Sequence, residues 1–394
     1  MITASRLATD VEERLLARNR LNAEFFARES ERLAEICRAM AERFLDGGRL
    51  LAFGRGPYAT DAQHVSVEFV HPVIVGKRAL PALDLSPLFP QWAHALAQPH
   101  DIAMGFGPPA GDPDVHEVLR TLGARGVMTF ALPGSEGSYA IARVTDDPFM
   151  HQELIEILYH TLWETVHVFF EHRELGHDMG ETEFLYPYLG RGSGESPTLV
   201  SDVAASIRAK VEDDAALRAR VASEESEMIG DVSVAIADRL ARGGKLIMFG
   251  NGGSATDAND WAIDCVAPPA EFRPVPAVSL AFEPANLTAI ANDVGTDVMF
   301  VRQLIAHARP NDVAIAISTS GGSRNLIAAL EEARKRGLHT VALLGYDGGE
   351  IGRRGIADQR VIVRSDYIPR IQEVQASIYH IIREQMEALH NGSL

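Results

Sequence analysis

The chain contains two copies of one sequence pattern, and this duplication limits its fold more than any other feature. The segments AERFLDGGRLLAFGRG (41–56) and ADRLARGGKLIMFGNG (237–252) align at an offset of 196 residues. Near the ends of the copies, HQELIEILYH (151–160) aligns with IQEVQASIYH (371–380) at an offset of 220 residues. A repeat that covers nearly the whole chain predicts two similar domains in tandem.

An insertion and a linker-like segment set the predicted domain boundary. The offset between the copies grows because the first copy lacks most of the stretch 284–308. The segment GRGSGESPT (190–198) has the Gly, Ser and Pro content of a linker. We therefore predict domains at 1–190 and 191–394. The segment 177–189 has no counterpart in the second copy, and we expect it only to pack at the domain junction.

Each copy alternates short apolar runs with helical segments. In the first copy LLAF precedes a glycine-rich turn and a helix, and in the second copy LIMF, VAIAI and TVALLG are separated by helical sequence. Short strands that alternate with helices are typical of a buried parallel sheet with helices on both faces. We predict this α/β architecture for both domains, with ligands at the carboxyl ends of the strands.

Charge and cysteine usage exclude several function classes. The net charge is −17 and the pI is near 5.3, whereas a nucleic-acid-binding surface needs clustered Lys and Arg. No apolar run is long enough to span a bilayer, and the N-terminus lacks the apolar core of a signal peptide. The two cysteines, Cys37 and Cys265, are too sparse for a disulfide framework. We expect a cytoplasmic protein without a nucleic-acid or membrane partner.

Two strand-to-helix turns of the second copy predict a phosphate site. The turn GNGGS (250–254) offers glycines that let a ligand approach the backbone, a serine hydroxyl, and the N–H groups of a helix start. Taken alone it could equally be a tight turn. The turn ISTSGGSRN (317–325) adds four hydroxyls at another helix start, one of which is expected to be an ordinary N-cap. The predicted phosphate-binding residues are Asn251, Gly252, Gly253, Ser254, Ser318, Thr319, Ser320 and Ser323.

The first copy has different residues at both turns. Pro57 and Tyr58 stand where the second copy has Gly253 and Ser254, and GFGPPAGD (105–112) replaces the serine-rich turn. Proline lacks the backbone N–H that would bind an anion. We therefore do not expect the first copy to bind phosphate in the same way.

Polar residues at helical spacing form a second candidate site in the first copy. His64 and Glu68 are four residues apart and share a helix face, as do Gln152 and His160 further along the chain. Two imidazoles, a carboxylate and an amide could hold a divalent ion or move protons. A lone His–Glu pair is more often structural.

The second copy keeps part of this polar set. Asp260 and Asp264 replace the histidine and the glutamate, whereas Gln372 and His380 are retained. Polar groups at matching positions of both copies, on helix faces that are otherwise apolar, favour a functional role.

Five motifs of the second copy occur in a characteristic order: GNGGSATDA, AIANDVGTD, ISTSGGSRNLIAALEEAR, LLGYDGG and RIQEVQASIYHII. They resemble the sugar isomerase (SIS) family, and within it the phosphoheptose isomerases, which convert sedoheptulose 7-phosphate to glycero-manno-heptose 7-phosphate. The first copy is similar mainly in TDAQHVSVEFV and HQELIEILYH. Family members have one domain and form oligomers with active sites at subunit contacts. The resemblance thus implies two tandem SIS-type domains that could form a pseudo-dimer, and a homo-oligomer such as a dimer of tandem chains.

The resemblance also implies roles for individual residues. It implies phosphate binding by the hydroxyl residues of the two turns, and substrate binding by Asp293 and Gln372. The implied catalytic residues are Glu68 and Asp264 as bases and His160 and His380 as acids. Some family members hold zinc with a His, Glu, Gln, His set, which here implies zinc as the leading candidate for a divalent metal at His64, Glu68, Gln152 and His160.

Neither copy contains the complete family site. The first copy has the metal set, and the second has the phosphate-binding turns. Asp264 is one methylene shorter than the family's glutamate, although a general base must lie within about 3 Å of its proton. Two arrangements stay open: a composite site shared by the copies, or a second copy that works alone with Asp264 and His380 while the first is a structural partner.

We predict an aldose–ketose isomerase for a phosphorylated heptose that acts through an enediol. A carboxylate would remove the proton beside the carbonyl, a histidine would act as the acid, and a metal would polarise the oxygens. The alternative is a non-catalytic phosphosugar-binding regulator or scaffold, which the aspartate replacements favour. A third hypothesis is another reaction on a similar ligand, such as a different isomerisation or a lyase step.

Overall fold

The computed structural model describes the chain over three ranges, 4–74, 77–174 and 197–393. The predicted boundary near residue 190 and the segment 177–189 lie outside these ranges, so both stay predictions. In the last range, the final two residues of the predicted linker already belong to a helix.

The chain forms two compact units. The first unit is Asn19–Ala215, and the second unit is Met1–Arg18 together with Ala216–Leu394. Two long helices, α1 (Ala4–Leu45) and α6 (Pro197–Ala241), each contribute residues to both units.

The first unit contains a five-stranded sheet in the order β2-β1-β3-β4-β5, in which every neighbouring pair is parallel. Leu50 of β1 pairs with Ile102 of β3, which pairs with Met128 of β4. A short 3₁₀ turn precedes α3. The elements after α1 are β1 (Leu50–Phe53), α2 (Tyr58–Val70), β2 (Ala82–Asp84), α3 (Phe89–Leu96), β3 (Ile102–Phe106), α4 (Pro113–Gly123), β4 (Met128–Leu132), β5 (Tyr139–Ala140) and α5 (Pro148–Glu174).

The second unit contains the matching parallel sheet in the order β7-β6-β8-β9-β10. Leu246 of β6 pairs with Val313 of β8, which pairs with His339 of β9. A short 3₁₀ turn precedes α9. The elements after α6 are β6 (Leu246–Phe249), α7 (Gly253–Val266), β7 (Ala277–Ser279), α8 (Pro284–Asp293), α9 (Met299–His307), β8 (Val313–Ser318), α10 (Arg324–Lys335), β9 (His339–Gly345), α11 (Gly349–Arg354), β10 (Gln359–Val363) and α12 (Ile368–Asn391).

Helices cover both faces of the sheet in the second unit. Alternate residues of a strand point to opposite faces. Leu246 and Met248 pack in a cluster with residues of α7 and α12, whereas Ile247 and Phe249 pack in another cluster with residues of α9 and α10. Because both faces are buried, the strand is apolar throughout. The predicted α/β fold, with a parallel sheet in each of two tandem domains, is confirmed.

The strand order places a crevice at one point of each sheet. From β6 the chain goes to β7 on one side and then returns to β8 on the other. Ligands of open α/β sheets bind at such a reversal, outside the carboxyl ends of the two strands. In the second unit this point lies between the end of β6 and the end of β8, and in the first unit between the ends of β1 and β3.

The stretch 284–308, most of which the first copy lacks, contains α8 and α9, and α8 has no buried residue. In the first unit the connection from β2 to β3 contains α3. Both cysteines, Cys37 and Cys265, are buried free thiols. Among the described helices, none has the length and apolar character needed to cross a bilayer.

Candidate functional site

The two predicted phosphate turns of the second unit lie side by side at the crevice. The side-chain amides of Asn251, after β6, and Asn325, in the first turn of α10, donate hydrogen bonds to each other at 3.1 and 2.8 Å. We call these two residues the amide pair. It joins the turns without introducing a formal charge, so the crevice keeps the positive potential of its two helix starts.

Two hydroxyl oxygens of the serine-rich turn accept hydrogen bonds from the backbone of the turn. Ser318 Oγ accepts a hydrogen bond from the N–H of Gly321 at 3.0 Å, and Ser320 Oγ accepts one from the N–H of Gly322 at 3.3 Å. A hydroxyl that accepts in this way still has its proton to donate. Both oxygens are therefore oriented by the chain and able to donate to an anion.

Neither helix has a cap from the side chain of its N-cap residue, although at α10 the Leu326 N–H donates to Asn325 Oδ1 at 3.0 Å. Gly252 precedes α7 with φ of 56° and has no side chain, and Ser323 precedes α10 without using its hydroxyl as a cap. The first N–H groups of a helix have no partner within the helix, and they bind anions when no cap takes them. Ser254 lies buried in the first turn of α7. The structure thus places the predicted hydroxyl and glycine residues at two helix starts.

Other predicted substrate residues lie in different surroundings. Thr319 is half-buried in the serine-rich turn, and Asp293 is an exposed residue at the end of α8. The Oδ1 atom of Asp293 accepts a hydrogen bond from the amide of Asn292 at 2.8 Å. Gln372 is buried on α12, two turns before His380.

The acid–base residues predicted for the second unit meet between α7 and α12. His380 Nε2 lies 3.2 Å from Asp264 Oδ2 and 3.5 Å from Asp260 Oδ2. The Tyr379 hydroxyl donates a hydrogen bond to Asp260 Oδ2 at 2.8 Å, and its ring stacks on Trp261 with 5.5 Å between centroids. Two carboxylates therefore share one imidazole nitrogen in a buried cluster, which we call the Asp–His cluster (Asp260, Asp264 and His380).

Burial changes the acidity of the Asp–His cluster. Burial and the neighbouring Asp260 raise the pKa of Asp264 to about 7, although His380 opposes the shift. Arg383 also opposes it, and the Arg383 side chain is fixed by a hydrogen bond to the Asp264 main-chain oxygen at 3.3 Å. A carboxyl group with this pKa can both accept and release a proton near neutral pH.

The residues predicted for metal binding in the first unit also come together. Ligand atoms of His64, Glu68 and His160 lie within 4.8 Å of one another, and all three side chains are buried. His64 Nε2 is 3.8 Å from Glu68 Oε1. Glu68 Oε2 is buried and has no hydrogen-bond partner among the described residues. Burial and the nearby Glu164 raise the pKa of Glu68 to about 8.

This set, which we call the His–Glu cluster (His64, Glu68 and His160), fits a divalent cation. Imidazole nitrogens and a carboxylate are ligands that Zn²⁺ prefers, and three of them leave a fourth position open. A bound cation would also compensate the buried carboxylate, whose Oε2 atom has no hydrogen-bond partner within the described part of the chain. The predicted fourth ligand, Gln152, lies two turns before His160. Its amide nitrogen donates to Asp61 Oδ2 at 3.2 Å and to the Pro57 carbonyl at 3.3 Å.

Sequence reasoning missed Asn325 and Tyr379, which complete the two parts of the second unit. Asn325 is the last residue of the motif ISTSGGSRN, and only the structure shows its contact with Asn251. Tyr379 could have been found, because the dipeptide Tyr-His occurs at matching positions of both copies, 159–160 and 379–380.

Comparisons with known proteins agree with this architecture. The family described as "SIS domain" matches residues 211–345. The phosphoheptose isomerase of Geobacter sp. strain M21 is 42% identical over 190 residues, which cover 48% of this chain and 96% of the relative. The phosphoheptose isomerase of Geobacter sulfurreducens is 43% identical over 190 residues, with 48% and 97% covered.

A solved structure extends the similarity of fold to nearly the whole chain. The C-terminal domain of glucosamine-fructose-6-phosphate aminotransferase from Francisella tularensis superposes with a TM-score of 0.59 at 10% identity, and the match covers 96% of each chain. At this identity the match concerns the fold alone. The tandem parallel sheets and the turns at the crevice agree with the match to relatives that are more than 40% identical. The chain therefore belongs to the SIS domain family and is similar to the phosphoheptose isomerases.

Proposed function

We propose that the protein interconverts the ketose and aldose forms of a phosphorylated sugar, with sedoheptulose 7-phosphate as the substrate. The observation that carries this proposal is the Asp–His cluster in the same unit as two helix starts joined by the amide pair. The first feature supplies proton transfer, and the second supplies a phosphate position. The name shared by the relatives supports the choice of sugar.

The phosphate would bind at the crevice of the second unit. The N–H groups of α7 and α10 and the hydroxyls of Ser254, Ser318, Ser320 and Ser323 donate hydrogen bonds, while the helix dipoles favour the negative charge. This arrangement explains how an acidic chain can bind an anion without a cluster of Lys and Arg. Binding the phosphate also fixes the distance between the sugar carbonyl and the proton-transfer groups.

Proton transfer would use Asp264 as the base and His380 as the acid. Asp264 removes the proton from the carbon next to the carbonyl, and the pair of electrons forms the enediol. His380 protonates the carbonyl oxygen in that step. Asp264 then returns its proton to the former carbonyl carbon, and His380 takes the hydroxyl proton from the oxygen on the carbon that lost its hydrogen, which becomes the new carbonyl. Tyr379 holds Asp260, which in turn contacts the imidazole. The raised pKa of Asp264 matches the demands of this chemistry at neutral pH.

A divalent cation, with zinc as the leading candidate, would be held by His64, Glu68 and His160, with Gln152 as the proposed fourth ligand. When bound, such a cation supplies a positive charge that polarises carbonyl and hydroxyl oxygens. The first unit's own contribution is to present these nitrogens and oxygens from α2 and α5 in a buried site.

The decisive experiment is an isomerisation assay with sedoheptulose 7-phosphate, with and without chelator. The variants are Asp264→Asn, Glu68→Gln, and Asp231→Asn as a control at an exposed position of the second unit. We expect Asp264→Asn to lower kcat by about 100-fold or more, because general acid–base groups contribute factors of this size. The control should keep the activity of the wild type.

The two carboxylate variants distinguish the roles of the units. Loss of activity only in Glu68→Gln would refute the role given to Asp264 and place the essential carboxylate, as base or as metal ligand, in the first unit. Wild-type protein that binds the sugar phosphate but does not convert it would favour a regulatory binding protein instead, a function consistent with the aspartates that stand in place of the family's histidine and glutamate.

A further inference from the structure

The first unit contains the counterpart of the amide pair, but with charged residues. By the alignment of the copies, Arg55 corresponds to Asn251 and Asp114 to Asn325. The Arg55 guanidinium forms an ion pair with the Asp114 carboxylate, and both side chains are about half exposed. Arg55 also lies over the Phe89 ring, 5.5 Å from its centroid. The same two turns are therefore joined in both units, by an ion pair in one and by neutral amides in the other.

The residue that precedes the next helix is a capping carboxylate in the first unit and a serine that makes no cap in the second. Asp112 corresponds to Ser323. Asp112 Oδ1 accepts hydrogen bonds from the N–H groups of Asp114 at 2.8 Å and Val115 at 3.1 Å. The Ser323 hydroxyl makes no such bond at α10, where the Leu326 N–H, the counterpart of the Val115 N–H, donates instead to the neutral Asn325 Oδ1 at 3.0 Å. A carboxylate of the chain thus occupies, in the first unit, the N–H groups that an anion would use.

Neighbouring positions remove further donors. Pro108 and Pro109 have neither a backbone N–H nor a hydroxyl, and they stand where the second unit has Thr319 and Ser320. Asp112 and Asp114 together place two negative charges at this helix start, and Arg55 neutralises only one of them. A phosphate dianion would meet like charge and occupied donors, so its binding there is unfavourable.

We propose that Asp112 and Asp114 close the crevice of the first unit to phosphate, so that each chain binds a single phosphosugar, at the second unit. This inference rests on the proposed function, because it assigns the phosphate position to one of two homologous crevices. Whether an SIS-type unit of this chain binds phosphate then depends on the residues at three pairs of corresponding positions in the first and second units: 55/251, 112/323 and 114/325.

The test exchanges these residues and measures the binding of sedoheptulose 7-phosphate by isothermal titration calorimetry. We expect one site per chain in the wild type. The triple variant Asn251→Arg, Ser323→Asp, Asn325→Asp carries the residues of the first unit and should bind about 100-fold more weakly or not at all. Ser223→Asp adds the same net charge at an exposed position and should bind like the wild type.

A single substitution separates loss of binding from loss of folding. Ser323→Asp introduces a preferred N-cap residue, so the thermal stability should stay equal or rise. Its affinity for the sugar phosphate should nevertheless fall about tenfold or more, because the carboxylate takes the N–H groups of α10. A variant that binds as tightly as the wild type would refute the proposal.

The stoichiometry distinguishes this inference from the proposed function. Two sites per chain would overturn the closure of the first crevice and leave the proposed function standing. No binding by the wild type would overturn both. One site that persists unchanged in the triple variant would place the phosphate away from the second crevice and contradict the assignment.

Discussion

Replacing Glu68 by glutamine tests whether the His–Glu cluster is built for a cation. Glutamine has nearly the same shape as the glutamate but no charge. In the metal-free protein, burial and Glu164 raise the pKa of Glu68 from its usual 4.5 to about 8. Well below pH 4.5 the carboxyl is neutral in both the folded and the unfolded chain, so wild type and the glutamine variant should have similar free energies of unfolding. As the pH rises towards 8, the unfolded chain ionises first, and the folded state loses relative stability.

The magnitude follows from the size of the shift. Each pKa unit corresponds to about 1.4 kcal/mol, so the shift from 4.5 to about 8 sets an upper limit of about 5 kcal/mol. Relaxation and water penetration around a buried charge reduce such penalties. We therefore expect Glu68→Gln to increase the free energy of unfolding of the metal-free protein by about 2–3 kcal/mol at pH 9, and by close to zero at pH 4.

Urea denaturation in the presence of chelator, at several values of pH, measures this difference. Glu35→Gln, an exposed change on α1 in the same unit, serves as the control and should alter stability by less than about 0.5 kcal/mol. With zinc added, the sign should reverse, because only the wild type keeps the carboxylate ligand. A stability difference that does not depend on pH, or a glutamine variant that is less stable at pH 9 without metal, would refute the reasoning.

Two further changes test the second unit. Tyr379→Phe removes the 2.8 Å hydrogen bond to Asp260, and we expect the free energy of unfolding in chemical denaturation to fall by about 1–3 kcal/mol, because a buried carboxylate loses a hydrogen-bond donor. An unchanged free energy of unfolding would contradict the role given to this hydroxyl. Gly321→Ala should destabilise the serine-rich turn and weaken sugar-phosphate binding, since φ at this position is +59° and a Cβ atom would overlap the Gly348 carbonyl oxygen. Gly322→Ala, where a Cβ atom has room, is the matched control for calorimetry, and equal effects of the two substitutions would show that the backbone argument is wrong.

The sequence predicts the fold well because the fold depends on local patterns. Apolar runs such as LIMF and VAIAI are buried on both faces of a parallel sheet, and they can be recognised without knowing which strand is their neighbour. Because the sequence is duplicated, a strand predicted in one copy supports the prediction of the corresponding strand in the other. The strand order and the crevice it creates are not local, and only the structure gives them.

The candidate site is predicted less completely, because several contacts join residues that are far apart in the chain. Asn251 and Asn325 meet across 74 residues, and their reciprocal hydrogen bonds have no signature in either segment. Gln152 likewise makes a contact that the sequence does not predict. Its spacing from His160 predicts a shared face, but the structure also shows its amide bonded to Asp61 near the start of α2.

The comparison of the two units explains why hydroxyls and amides, rather than lysines, suit the open crevice. Arg55 forms an ion pair with the Asp114 carboxylate, so its positive charge is neutralised by a residue of the chain itself. Asn251 is hydrogen-bonded to the neutral Asn325 side chain. No negative charge of this pair therefore cancels the positive potential of the two helix starts. Since the potential of a helix start falls off within its first turn, a neutral bridge preserves it where a nearby carboxylate would cancel it. A positive residue in such a crevice therefore weakens the binding of a ligand phosphate when a carboxylate of the chain pairs with it instead.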